Sequence, residues 1–526
     1  MAGSFVLKPY ERRREPGPFR RFMFFAAIIG LAAFYGLLAS VLPMQLLFIP
    51  LVPILILVAL ILWMMPDVGG LQIERMQTLM WWFIGLGILW PNYVAFDLPG
   101  LPWITPVRIV VFSLLAIVLF SLATSGEFRG KIKDTLDASP MLAKLFWAFW
   151  ALTTISIMFS STPFFSLNKY VNNQIFWTMM FVISAILSTQ EGFVARLAQI
   201  LVATVFVVAV LGMYEYKIQR VFWIDQLPGF LKVDPEFIER VAKSQSRAGT
   251  DVYRVRGTLA TSLYFAEYLA MVFPLTLHFM VNAKKFWAFA FIAAGVLGML
   301  VVMYLTNARS AMVGMLLSIV IYTFFAAYRA RKMRPESIGA TATLMLYPAM
   351  VVALSLLVVF WRRAHVMVLG GGQHQASSDA RSVQWAMGWP KIWTHPLGHG
   401  VSRSGEVLGY ANGAGEMTID TYYLSILLDY GPLALPIYLF MFALPIWYAF
   451  KVFIKAKSDE LLLVGPLAIG LINFVVIKAV LSSEGNVPLA FVMLGCIIGL
   501  IWQQNLAENA QGGTDAAAPA GVPRKA

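Results

Sequence analysis

The feature that most constrains this chain is the recurrence of apolar stretches about twenty residues long. Residues 286–305, for example, read FWAFAFIAAGVLGMLVVMYL and contain no charged side chain. A helix of about 20 residues crosses the hydrocarbon core of a bilayer and satisfies its own backbone hydrogen bonds. Of the 526 residues, 59% are hydrophobic and only 13% are charged, whereas about 25% of a soluble protein is charged. The sequence therefore predicts an all-α polytopic membrane protein with about 14 transmembrane helices.

Basic connections predict the orientation of these helices. Lysine and arginine accumulate in cytoplasmic loops, and both the opening YERRREPGPFRR and alternate later connections such as YRARKMRPES are basic. An even number of spans then places both termini in the cytoplasm. The predicted organisation is a basic cytoplasmic N-terminus over 1–22, a transmembrane domain over 23–503 with periplasmic loops at 216–257 and 362–420, and a disordered cytoplasmic tail over 504–526.

Three parts of this organisation are predicted in more detail. The predicted spans, in order, are 23–41, 44–65, 77–95, 106–124, 142–160, 173–189, 195–215, 258–281, 286–305, 310–328, 339–361, 421–449, 460–481 and 487–503. The stretch FIERVAKSQ in the first long loop is predicted to form a short surface helix. The net charge of +13 is explained by this topology, so no nucleic-acid partner is predicted. The single cysteine, Cys496, excludes a disulfide framework and a cysteine-based metal site.

Cations are predicted to gather at the periplasmic side of the bundle. A planar, permanently charged guanidinium suits phosphate oxygens better than an ammonium does, so clustered arginines favour binding of a lipid phosphate or diphosphate. The alternative is that these side chains reach to lipid headgroups or lie solvated in the loops. The cations in question are Arg108, Arg256, Arg309, Arg381, Arg403 and Lys478.

Glu267 lies well inside the eighth predicted span, where an ionisable group is costly and normally faces a partner or water. Two interpretations remain open for it: an ion pair with an arginine or with Lys478, or a direct contact with substrate. In the second long loop, Arg381, Trp385 and Trp389 have the spacing of one helix face and precede Pro390, where the helix is predicted to end. Such a helix either lies on the membrane surface or offers a platform for stacking a carbohydrate.

Two further features of this loop concern proton chemistry. Asp420 precedes the apolar TYYLSILLDYG, where a carboxylate is also an ordinary helix cap. His395 and His399 stand four apart in THPLGHG, but proline and two glycines exclude a stable helix, so the zinc spacing does not apply. A turn is predicted there, with no metal site, and His399 is a candidate glycan contact.

In order and spacing, four segments resemble the O-antigen ligase and polymerase superfamily of bacterial envelope glycosyltransferases. They are VRGTLATSLYFAEYLAMVFPL, NARSAMVGMLL, R-x3-W-x3-W-x5-HPLGHG and TIDTYYLSILLDYGPLAL. The resemblance implies transfer of a glycan from undecaprenyl diphosphate to an acceptor hydroxyl, with no cofactor. It assigns Arg309 and Arg381, with Arg256 less directly, to the diphosphate. Where the family often has His-Asn this chain has Asp420 and Thr421, a departure more typical of exopolysaccharide polymerases than of ligases.

The leading hypothesis is a metal-independent polymerase of undecaprenyl-diphosphate-linked repeat units in the bacterial inner membrane, active at the periplasmic face. Asp420, Arg309 and Arg381 are its predicted catalytic residues. Its partners are the lipid-linked glycan donor, a glycan acceptor, the bilayer and polysaccharide-assembly proteins. The alternatives are a ligase that transfers glycan to lipid A–core, a flippase or other transporter, and a non-catalytic assembly protein. Charges at one face beside long loops favour an enzyme over a transporter, whose charges normally lie near the midplane.

Overall fold

The computed structural model describes residues 72–97, 103–234, 253–362, 375–411 and 417–516, together with a few single positions. The chain divides into two units, residues 1–67 and 68–526. In the first unit, the described residues Phe22, Ala26, Ile29 and Gly30 are helical. The predicted spans 23–41 and 44–65 otherwise lie outside the described residues, as does FIERVAKSQ.

The second unit consists of helices and one small sheet. In chain order these are α1 (Ile73–Leu89), β1 (Val94–Phe96), α2 (Pro106–Thr124), α3 (Gly126–Leu136), α4 (Pro140–Ile157), α5 (Pro163–Leu187, with a π-helical turn at Gln174–Met179), α6 (Phe193–Ile218), β2 (Leu231–Val233), α7 (Ser262–Val281), α8 (Phe286–Leu305), α9 (Arg309–Met333), α10 (Ile338–Phe360), α11 (Gln375–Thr394), α12 (Ser404–Leu408), α13 (Tyr422–Tyr430), α14 (Ala434–Lys455), α15 (Val464–Lys478) and α16 (Val487–Ala516).

Eleven helices among the described residues are long and apolar enough to cross a membrane. They are α2, α4 to α10, α14, α15 with the turn before it, and α16. The helix α1, of 17 residues, occupies the place of the third predicted span. The predicted class, an all-α polytopic membrane protein, is thereby confirmed, with the number of spans left open beyond the described residues.

The twelfth predicted span is wrong in its extent. Residues 421–449 form two helices instead of one, because α13 ends at Tyr430 and α14 begins at Ala434. Gly431 between them has φ +87°, a conformation that L side chains rarely adopt. A Cβ atom there would also lie 2.1 Å from the Pro396 carbonyl oxygen. The helix break at Gly431 therefore allows the loop that contains Pro396 to approach closely.

The centre of the bundle is formed by α7, α15 and α16. In the apolar stretch of these three helices, 72%, 78% and 78% of the residues are buried, whereas none are buried in the apolar stretch of α10. Gly495 and Gly499 of α16 face α5, where added Cβ atoms would lie 2.0 Å from Ser184 Oγ and 2.5 Å from Ser188 Cβ. Small residues four apart allow two membrane helices to approach closely. At its other end α16 continues to Ala516, through the first part of the segment expected to be disordered.

The first long loop joins the preceding part of the chain through a two-stranded sheet. Its strand β2 pairs antiparallel with β1, and Val94 lies opposite Val233. The Trp90 indole donates a hydrogen bond to the Val94 carbonyl oxygen over 2.8 Å. This sheet lies at the end of the bundle where α1 and α6 finish and α2 and α7 begin, which is also where the candidate residues lie.

Candidate functional site

The segment before α7 is held by a buried carboxylate. Glu215, with no exposed surface, accepts hydrogen bonds from the Tyr253 hydroxyl at 2.8 Å and from the backbone N–H groups of Arg256 at 3.2 Å and Gly257 at 2.7 Å. Charge-assisted hydrogen bonds of this kind are stronger than neutral ones. Arg256 is itself 6% exposed, and its Nε has no hydrogen-bond partner among the described residues. Nothing in the local sequence indicates this role for Glu215.

The same segment also contacts the turn that leads to Arg309. Arg254 Nε donates to the Thr306 carbonyl oxygen at 3.1 Å, and the Val255 N–H to the Leu305 carbonyl oxygen at 3.3 Å. Asn307 follows with φ +48°, and Arg309, half-buried, is the first residue of α9. The structure thus brings the backbone that carries Arg254 and Arg256 against the turn before Arg309. The sequence pattern did not single out Arg254.

Arg381 and Asp420 form the second group. Gln384, fully buried one turn after Arg381, accepts a hydrogen bond from the Asp420 N–H at 2.9 Å and donates one to Asp420 Oδ2 at 3.4 Å. Burial raises the pKa of Asp420 above its ordinary value, and the nearby Arg381 guanidinium opposes that shift. Burial likewise lowers the pKa of Arg381, against the attraction of Asp420. Gln384 therefore fixes a half-buried carboxylate beside a guanidinium.

The predicted Arg/Trp helix is present as α11, but it differs in two respects. It continues through Pro390 to Thr394 instead of ending near Pro390. Trp385 packs with Ile392 and Leu424 in a small core, whereas Trp389 is 52% exposed. At 3.6 residues per turn, Trp389 is rotated by about 40° from Trp385 and by about 80° from Arg381 around the helix axis, toward the exposed side of α11.

The turn predicted at THPLGHG is confirmed. Gly398 and Gly400 have φ +83° and +102°, and the N–H groups of His399 and Gly400 donate to the carbonyl oxygens of Leu428 and Asp429 at 2.9 and 3.1 Å. The His399 Nδ1 donates to the Leu428 carbonyl oxygen at 2.9 Å, and burial lowers its pKa. The turn is therefore seated on the end of α13.

Arg403 follows this turn and is held by a second buried carboxylate. Asp429 accepts hydrogen bonds from the N–H groups of Ser402 at 3.1 Å, Arg403 at 2.9 Å and Ser404 at 2.6 Å. The Arg403 guanidinium lies 2.5 Å from Glu406 Oε2 and 3.1 Å from Ser161 Oγ. Since these contacts join the second long loop to the α4–α5 connection, they fix the loop across the end of the bundle.

Glu267 and Lys478 form an ion pair. Of the two interpretations of Glu267, an ion pair or a direct contact with substrate, the structure thus shows the ion pair. Glu267 Oε1 lies 2.9 Å from Lys478 Nζ, and neither side chain has exposed surface. Asn486 Nδ2 donates to Glu267 Oε2 at 2.9 Å, and Lys478 Nζ donates to the Ser483 carbonyl oxygen. In this position both side chains hold the α15–α16 loop and are closed to substrate.

A cavity of about 330 Å³ lies at this end of the bundle. It is bounded by α1, α2, α5, the segment before α7 and the α15–α16 loop, and its lining does not include Arg309, Arg381 or Asp420. Of its polar lining residues, Arg108 is one of the cations predicted to gather at this side, whereas Asn173 and Glu484 were not predicted as site residues.

Residues 294–439 match the family model described as O-antigen ligase. This segment is therefore similar to the O-antigen ligase family. The match includes Arg309, Arg381, Arg403 and Asp420, whereas Arg256 lies before it. No curated protein matches the chain. The protein is therefore a multi-pass membrane protein, one segment of which resembles O-antigen ligases.

The buried pair of Glu267 and Lys478 generates a prediction about the stability of this protein. Lys478→Met leaves the Glu267 carboxylate buried and uncompensated, so we expect a loss of about 3–5 kcal/mol. Lys455→Met is the matched control, because Lys455 also ends a helix and pairs with a glutamate, Glu508, but 57% of its side chain is exposed. Its loss should be about 0–1 kcal/mol.

Thermal or denaturant unfolding of the variants in detergent measures both effects. The double variant Glu267→Gln, Lys478→Met should regain most of the stability, because it removes both charges together. Equal stability of Lys478→Met and Lys455→Met would refute the structural role of the pair. A double variant that is stable but inactive would indicate that Glu267 and Lys478 contact the substrate.

Proposed function

We propose that this protein polymerises oligosaccharide repeat units carried on undecaprenyl diphosphate into exopolysaccharide or O-antigen. The observation that carries the proposal is the pairing of a half-buried carboxylate, Asp420, with the Arg381 guanidinium inside the matched segment. One group suits a hydroxyl proton and the other suits a diphosphate. Both lie at the end of the bundle where Arg309 begins α9.

The proposed reaction is a displacement at an anomeric carbon. The acceptor hydroxyl oxygen forms a bond to that carbon while the bond from the carbon to the diphosphate oxygen breaks. The hydroxyl proton passes to Asp420, and the lipid diphosphate leaves with its additional negative charge. Pre-placed cations stabilise such a developing charge at little reorganisation cost. Arg309 and Arg381 are assigned this role, and no metal or cofactor is assigned to the reaction.

Asp420 is suited to the role of general base by its surroundings. A base works best when its pKa lies near the working pH, and burial moves the pKa of Asp420 upward from the ordinary value of a carboxyl group. The Gln384 hydrogen bonds orient the carboxylate. Asp420 lies just before α13 without capping it, since no side-chain cap bond is present there and Thr421 occupies the N-cap position.

The polymerase assignment is supported by Asp420 and Thr421, which stand where the ligases that resemble this chain often have His-Asn. The basic connections support a location in the bacterial inner membrane, with both termini cytoplasmic and the site at the periplasmic face. Arg256, Arg403, Trp385, Trp389 and His399 are proposed to act in glycan or lipid binding around the reacting groups.

The arginine assignment predicts a large and local loss of activity. Arg309→Ala or Arg381→Ala should lower the rate of polymer formation about 100- to 1,000-fold, because each removes one stabilising group from the leaving diphosphate. The matched control is Arg331→Ala, which removes an exposed arginine from the last turn of the same helix α9. Gel analysis of polymer made by membranes containing equal amounts of each variant measures the effect. Unchanged polymer length and yield with Arg309→Ala would refute the assignment.

The base assignment predicts a pH profile. A base must be ionised to accept a proton, so activity should fall as the pH drops through the raised pKa of Asp420, above the range of a free aspartate at about 3.9. Asp420→Asn should lower the rate about 100- to 10,000-fold. Asp379→Asn, an exposed change on α11, is the control and should keep the wild-type profile. Full activity of Asp420→Asn would show that this carboxylate is not the base.

A further inference from the structure

The cavity at the end of the bundle lies outside the segment that matches the family. Every residue of its lining falls in the ranges 83–108, 172–177, 259–264 and 484–489, whereas the match covers 294–439. The reaction assigned to the matched segment therefore leaves the cavity unexplained. Its volume of about 330 Å³ falls within the usual range for small-ligand sites, about 300–1,000 Å³.

The lining combines aromatic rings with amides and charged groups. The rings are Phe83, Trp103, Phe176, Trp177 and Tyr264, and the polar groups include Asn92, Arg108, Asn172, Asn173, Glu484 and Asn486. A sugar ring presents a face of C–H groups and a rim of hydroxyls. Aromatic surfaces suit the face, and amides and carboxylates can donate to or accept from the hydroxyls. A lipid chain would gain nothing from the polar half of the wall.

Asn173 supplies an independent sign that a polar ligand belongs here. Its side chain lines this cavity and also a smaller one that contains Tyr430, and it is 5% exposed, yet its Nδ2 has no hydrogen-bond partner within the described part of the chain. The Tyr430 hydroxyl lies near this side chain but forms no hydrogen bond of good geometry with Nδ2. A buried amide donor left without an acceptor destabilises the folded protein. A hydroxyl oxygen in the cavity would supply that acceptor, and Glu484 would accept hydrogen bonds from neighbouring hydroxyls.

The cavity is also connected to the proposed reaction site. Leu259 and Ala260 in its wall follow Arg256 closely, and the Leu259 N–H donates to the Arg256 carbonyl oxygen at 3.1 Å. On the opposite side, Asn486 donates to Tyr264 and to Glu267, each over 2.9 Å. A glycan bound in the cavity would therefore lie beside the segment that holds Arg256.

We propose that this cavity is a sugar-binding subsite that selects the glycan this protein transfers. The proposal rests on the proposed function for the identity of the substrate class, a neutral or hydroxyl-rich oligosaccharide. Because the lining lies outside the matched segment, the subsite would set the sugar specificity of this chain separately from its diphosphate chemistry.

Two glycines of α1 provide a matched test. A Cβ atom at Gly87, which lines the cavity, or at Gly85, which does not, would meet no heavy atom within 4 Å. Gly87→Phe should therefore fill the cavity, and Gly85→Phe should place the same ring elsewhere on the same helix. A second pair uses exposed residues of α5: Asn172→Ala changes the lining, and Asn168→Ala does not.

The measurement is isothermal titration of each variant in nanodiscs with two probes. One probe is the soluble oligosaccharide released by mild acid from the lipid-linked glycan of the host cell, and the other is undecaprenyl phosphate. Gly87→Phe should weaken oligosaccharide binding at least tenfold, and Asn172→Ala about threefold or more, while Gly85→Phe and Asn168→Ala bind as the wild type. Equal oligosaccharide binding by all four variants would overturn the proposal, as would weakened binding of undecaprenyl phosphate alone.

The arginine variants separate this proposal from the proposed function. Arg309→Ala should bind the oligosaccharide normally while it forms polymer at the strongly lowered rate predicted above. If the wild type and Arg309→Ala form equal polymer but the Gly87→Phe effect on binding persists, the diphosphate assignment fails and the sugar subsite stands. If Arg309→Ala abolishes polymer and the two glycine variants bind alike, the subsite fails and the enzyme assignment stands.

Discussion

The site depends on buried carboxylates that accept hydrogen bonds from backbone N–H groups. Glu215 binds the segment of Arg256, and Asp429 binds three successive N–H groups at Ser402 to Ser404. A buried carboxylate is costly unless it is hydrogen-bonded, and a buried N–H group without an acceptor is costly as well. Each carboxylate meets both requirements at once, so each loop is held in one position although it lacks regular structure. The arginines then extend from fixed backbone.

The fold class could be predicted because lipid imposes a simple pattern. Runs of about twenty apolar residues have few alternatives to a membrane-spanning helix, and the described spans follow the predicted ones closely. The predicted extent of the twelfth span was wrong because a hydropathy pattern does not reveal the helix break at Gly431. That glycine is required by the close approach of Pro396, which lies in a different part of the sequence. The turn at THPLGHG was predictable, since proline and glycine act locally.

The partners within the site were much less predictable. An ion pair of Glu267 with Lys478 was one of the interpretations open from the sequence, because few other charges lie so deep in the spans. Gln384, Asp429 and Glu215 showed no comparable signal, since their roles come from backbone groups that only the fold brings near. The same holds for the cavity, whose walls come from five separate parts of the chain. Spacing alone also placed Trp389 on one face with Trp385, although Trp385 packs in a small core and Trp389 is exposed.

The most direct test of the polymerase assignment is reconstitution of the purified protein in liposomes with an undecaprenyl-diphosphate-linked repeat unit as the sole glycan substrate. A polymerase should produce a ladder of products that grows by one repeat unit per step, with release of undecaprenyl diphosphate in equal amount. Absence of any product until lipid A–core is added would contradict the polymerase and identify a ligase. Movement of the intact lipid-linked glycan across the bilayer without any new glycosidic bond would contradict the enzyme itself.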